Sequence, residues 1–215
     1  MIRITLFSSL LLAVAFSMNA QASLMQLNFA GTVNYTDGSL SGISAGTVFT
    51  GSFSYDPTTP EAYSYPGAAY YDLGTTSSIT ANIGGHLVSA NRLGVRITDN
   101  FGGNVEDGVN ISGGYPLSVG DEVYSSGSFG FTLQSKPGNK GVLTSTALPT
   151  SYDVSAFDLV SFNYGWLQRD GGQHGTILGF SVNSITNAVP EPGTYALMLV
   201  GLVGFMARRR NIQNC

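Results

Sequence analysis

Leu27, Phe29, Gly31, Val33 and Tyr35 occupy alternate positions with Asn28, Ala30, Thr32 and Asn34 between them, and Phe49, Gly51, Phe53 and Tyr55 repeat the pattern around Thr and Ser. A period of two predicts extended strands with one face buried. Shorter stretches of the same kind run from Ser78 to Ile83, Leu87 to Ser89, Leu93 to Thr98, Val109 to Ser112, Phe129 to Leu133, Leu159 to Leu167 and Thr176 to Ile185. They are separated by turn chemistry such as Asp37-Gly38, Asp56-Pro57, Pro66-Gly67, Gly84-Gly85 and Pro137-Gly138-Asn139. Between the two ends of the chain, Val154 to Val160 is the nearest approach to helical spacing. The expected fold is all-β, an antiparallel β-sandwich of jelly-roll type.

Both ends break this pattern. Met1-Ile2-Arg3 is a short positive start, Ile4 to Phe16 is mostly apolar, and Ala20-Gln21-Ala22 places small residues two apart. Together these make a secretory signal cleaved after Ala22. At the other end Gly193 to Ala207 carries no charge and is followed by Arg208, Arg209 and Arg210. As a helix at ~1.5 Å per residue this run reaches roughly 22 Å, short of a ~30 Å hydrocarbon core, which suits a temporary transmembrane helix. The arginines stay on the cytoplasmic side and act as its stop. Pro190 and Pro192 fit ahead of a helix start, where Glu191 complements the positive dipole end. The chain therefore divides into a signal peptide (1–22), a β-sandwich body (23–188) and a tail (189–215).

Val189-Pro190-Glu191-Pro192, the apolar helix and the arginine cluster closely resemble the PEP-CTERM sorting signal of Gram-negative bacteria. The resemblance implies an exosortase-type processing protease as partner, export through the Sec machinery, and a transient stay in the inner membrane with the body outside the cytoplasm. Delivery to the cell surface or medium would follow, in the company of exopolysaccharide. The body also resembles a type of secreted PEP-CTERM protein with no assigned activity, through Gly46, Phe49, Gly51, Phe53, Tyr55 and Asp56. That second resemblance carries over no catalytic residue.

Composition agrees with an exported, turn-rich β protein: 28 glycines, 43% apolar residues and only 10% charged ones. Between the two ends there are five basic residues against twelve acidic ones, a net of −7. Nucleic acid is excluded as a partner, because phosphate binding needs basic patches. The single cysteine is Cys215, so the body holds neither an internal disulfide nor a thiolate metal site.

Candidate chemistry in the body is sparse. Gly42-Ile43-Ser44-Ala45-Gly46 matches the G-x-S-x-G nucleophile elbow, with His86 or His174 as partner, but a strand pattern follows it where the elbow needs a helix. The two histidines stand alone, without a second ligand at metal spacing. Calcium is the better-suited ion, through Asp99, Glu106, Asp107, Asp121 and Glu122 in acidic turns. Tyr63, Tyr65, Tyr70 and Tyr71 flank Pro66-Gly67 in an expected loop, where exposed rings would form a ligand surface. Phe162, Tyr164 and Trp166 alternate along a late strand and read as core, a sugar-stacking platform being the alternative. These features point to a non-catalytic surface or extracellular-matrix protein. A carbohydrate- or calcium-binding module is the second expectation and a secreted hydrolase the third.

Overall fold

The computed structural model describes residues 24–101, 106–114, 116–159, 163–169 and 175–188. The signal segment, the tail, Phe162 and His174 lie outside them. The described chain is all-β and antiparallel. Its strands are β1 (Met25–Thr36), β2 (Val48–Tyr55), β3 (Tyr63–Tyr65), β4 (Ala68–Asp72), β5 (Ser78–Ile83), β6 (His86–Asn91) and β7 (Leu93–Phe101). They continue with β8 (Glu106–Gly113), β9 (Leu117–Val119), β10 (Glu122–Tyr124), β11 (Gly127–Gln134), β12 (Tyr164–Arg169) and β13 (Thr176–Asn187). The helical turn expected near Val154 is a single 3-10 turn, Val154–Ala156, whose N-cap Asp153 accepts the Ser155 N–H at 3.0 Å.

All 13 strands are hydrogen-bonded in one order, β10-β9-β6-β5-β2-β1-β13-β12-β11-β8-β7-β4-β3. The two layers are thus halves of one sheet that folds back on itself across the β1–β13 seam. Successive hairpins alternate between the halves. At the seam the register of β1 slips twice, between Ala30 and Gly31 and between Val33 and Tyr35. Such bulges bend a strand and increase its twist, which is what a sheet needs in order to close over its own core. The ring of Phe131 from β11 lies 5.6 Å from those of both Phe29 and Phe53, so the halves meet through aromatic contacts.

Glycines at inward positions make room for those rings. Phe29 sits opposite Gly51 and Phe49 opposite Gly31. A Cβ on Gly51 would stand 2.4 Å from Phe29 Cζ and 2.5 Å from the Thr80 carbonyl oxygen. The alternation of Phe and Gly in β1 and β2 is therefore a packing code in which a ring on one strand covers a gap on the next.

Between β11 and β12 the described residues, 135–159 and 163, form no strand, and they cover one end of the core. Leu148, Tyr152 and Phe157 are buried there. The Tyr55 hydroxyl donates to the Pro149 carbonyl and lies 2.8 Å from the Tyr152 hydroxyl. The Tyr71 hydroxyl donates to Thr146 O at 2.8 Å. Burial pushes the phenol pKa of both Tyr55 and Tyr152 upward.

Two faces differ from the sequence expectation. Tyr35 is 54% exposed, because the bulge after Val33 turns the end of β1 out of phase. In β12 the inward residues are Gly165 and Leu167, whereas Tyr164 and Trp166 point outward. Gly165 takes the core side because the Phe180 ring from β13 already fills that space: a Cβ would come within 2.0 Å of it.

Candidate functional site

The acidic side chains do not converge. Asp121 and Glu122 belong to the β9–β10 edge of the first half, while Asp99, Glu106 and Asp107 flank the β7–β8 connection in the second. Asp107 is 0% exposed. Its carboxylate accepts the backbone N–H groups of Asn100 (2.8 Å), Gly141 (3.1 Å) and Leu143 (3.0 Å). It clasps the 135–163 connection to the sheet. Glu106 accepts from Gln134 Nε2, Asp99 from Asn100 Nδ2 and Glu122 from the Tyr124 hydroxyl. Among the described residues no three His, Cys, Asp or Glu side chains gather as a metal site.

Ser44 lies in the connection between β1 and β2, where its N–H donates to Thr47 Oγ1 at 3.2 Å and its carbonyl accepts the Thr47 N–H at 3.0 Å. A strand follows, so the backbone has no elbow geometry. His86 Nε2 donates to the Ser41 carbonyl at 2.9 Å and is a turn-stabilising residue there.

The expected tyrosine loop is a hairpin, β3 and β4, at the edge of the second half. Gly67, at φ +77°, allows its tight turn. Tyr63 and Tyr70 stack at 5.0 Å and 14°, and Tyr65 leans on Phe101 at 5.5 Å. Tyr71 turns the other way into the core.

Outward positions form continuous rows across the strands. On the first half, Thr186, Asn28, Ser52, Thr80, Ser89 and Ser118 stand side by side across six strands. The Ser52 and Thr80 hydroxyls are 3.1 Å apart. A shallow depression of about 550 Å³ on this face is lined by hydroxyl, amide and apolar groups, with no ionisable side chain. On the second half one row reads Tyr35, Gly179, Trp166, Gly130. The next reads Ser181, Tyr164, Thr132, Asn110. Trp166 Nε1 donates to Ser128 Oγ at 3.0 Å, and the Tyr164 and Trp166 rings are 5.7 Å apart. Tyr35 escaped the sequence reading, and Tyr164 and Trp166 face outward as its alternative had them, not into the core as its first reading did.

Residues 188–210 match the PEP-CTERM protein-sorting motif. The chain carries a PEP-CTERM sorting signal. No curated protein and no solved structure matches it. The PEP-CTERM signal implies export, a transient stay at the membrane and processing by an exosortase. It starts where the body stops: Ala188 N–H donates to Gln26 O at 2.9 Å, and Leu27 pairs with Asn187. The start of β1 and the exit toward the PEP-CTERM segment therefore lie side by side at one pole. Tyr35 and Gly179 lie near the opposite end of the same strand pair.

Proposed function

We propose that the chain is a non-catalytic protein of the cell surface or extracellular matrix, delivered by its PEP-CTERM signal after Sec export. The match over residues 188–210 carries the sorting part of this reading. Signal peptide and tail would hold the body at the same pole, so it can stand off the membrane while either end is anchored. The arrangement of the body supports a non-catalytic role: Asp107 is occupied by three backbone N–H groups, His86 by a turn carbonyl, and the G-x-S-x-G serine sits in a turn that leads into a strand.

Cell fractionation tests the sorting part. Removing residues 189–215 is expected to send the body straight into the medium with no membrane-held intermediate. Membrane retention unchanged by that deletion would overturn it. Turnover of glycoside or ester substrates at an enzyme-like rate by the purified chain would overturn the non-catalytic part.

A further inference from the structure

We propose that Tyr35, Trp166 and Tyr164 form a binding site for a neutral polysaccharide, an inference that rests on the surface or matrix reading and names its ligand. Tyr35 and Tyr164 are 54% and 45% exposed. Large rings on an outer face cost solvation unless a partner covers them. Trp166, half-buried beside Ser128 and Tyr164, stands opposite glycine on both neighbouring strands, so neither directly paired residue covers the indole with a side chain. Tyr35 lies in that same row, two strand spacings away, about 10 Å at ~4.8 Å per strand. The rings thus line a track running across the strands.

The ligand class follows from what surrounds the rings. A pyranose has an apolar C–H face that stacks on an aromatic ring and a rim of hydroxyls that needs neutral donors and acceptors. Both are present: beside the rings lie Ser128, Ser181, Thr132 and Gln168, and Gly179, where a Cβ would meet nothing closer than 3.8 Å, leaves the space between Tyr35 and Trp166 open. None of these is ionisable, and an anionic chain would approach a body of net charge −7. A neutral glycan meets no such repulsion. The patch also faces away from the tether. Leu27, at the membrane pole, and Tyr35 are separated by roughly 25 Å of strand at ~3.4 Å per residue, which leaves the rings free to engage matrix while the tail is anchored.

The test uses the full-length chain in a detergent without a sugar headgroup, with laminarin, dextran and galactomannan as neutral probes and alginate as the acidic one. Trp166 is the only tryptophan, so its emission reports directly on the patch. At least one neutral glycan should shift that emission and retard the chain in affinity electrophoresis, with alginate doing neither. Tyr164→Ala and Trp166→Ala, checked for an unchanged melting temperature, should each weaken retardation at least tenfold. Trp166→Phe should keep most of it, and Tyr63→Ala should behave as the parent. The proposal is overturned if no neutral glycan binds, if both alanine variants bind like the parent, or if sedimentation shows the rings holding a second copy of the chain. Failure here with the fractionation result intact removes the glycan assignment and leaves the sorting reading standing.

Discussion

Replacing Asp107 by alanine separates a structural clasp from a cation ligand. The carboxylate is fully buried and accepts three backbone N–H groups. Each buried donor left without a partner costs about 1 to 3 kcal/mol. Asn100 and Gly141 are exposed residues, so water can replace part of what their N–H groups lose. The net is about 2 to 4 kcal/mol. For a body of this size that corresponds to a fall in Tm of roughly 5 to 12 °C. The loss should be concentrated in residues 135–163, because Gly141 and Leu143 are the points where Asp107 holds that connection, and hydrogen exchange there should quicken before the strands open. Asp107→Asn keeps the shape but turns a donor toward these N–H groups, and should lose about half as much. Asp99→Ala and Asp121→Ala should stay within about 0.5 kcal/mol of the parent. Urea unfolding with and without a chelator reads all of these. If Asp107→Ala matches the parent, or if chelator alone reproduces its loss, the carboxylate is not a clasp.

Two further outcomes follow from the packing. Gly165→Ala drives a Cβ into the Phe180 ring, which is itself held at 5.0 Å by Phe49 and 5.8 Å by Phe129; a destabilisation of about 1 to 3 kcal/mol is expected in urea melts, and Gly165→Ala with Phe180→Leu should lose less than the two changes summed. Burial raises the pKa of Tyr55 and Tyr152 above the ordinary 10.0, so the unfolded chain ionises first and their contribution is complete below about pH 10 and lost as pH rises beyond it. Melts between pH 8 and 12 should therefore show a steep alkaline fall that flattens when both are changed to phenylalanine; an equal slope in the double variant would refute this.

Strand positions were legible in the sequence wherever alternation was uninterrupted, as in β2 and β5. Parity failed where geometry set it from outside the strand. Tyr35 follows a bulge at the seam, and a bulge leaves no mark in an alternating pattern. In β12 the inward residue is a glycine, which a hydrophobic pattern scores as nothing, while the volume it vacates is filled by Phe180 from the next strand. The clasping role of Asp107 was hidden for a different reason. Two of its donors lie 34 and 36 residues downstream, so it looked like any acidic turn residue. The PEP-CTERM signal is contiguous, and so it was the one functional element the sequence showed complete.

The same geometry accounts for how an exported body does without disulfides, since the only cysteine is Cys215. Cross-strand Phe–Gly pairs allow rings from both halves to meet at 5 to 6 Å, giving a dense aromatic core without long side chains to order. The long connection that would otherwise fray is held at Asp107, Tyr55 and Tyr71. It covers the pole where β1 begins, as Met25 pairs with Tyr55. That closed pole is the one from which the PEP-CTERM segment leaves. Toward the far pole stands the exposed ring of Tyr35, while Tyr164, paired with Ser181, lies level with Thr32 partway along the seam. A tether at one pole and an aromatic surface toward the other is the division expected of a protein that is delivered by its tail and acts through its body.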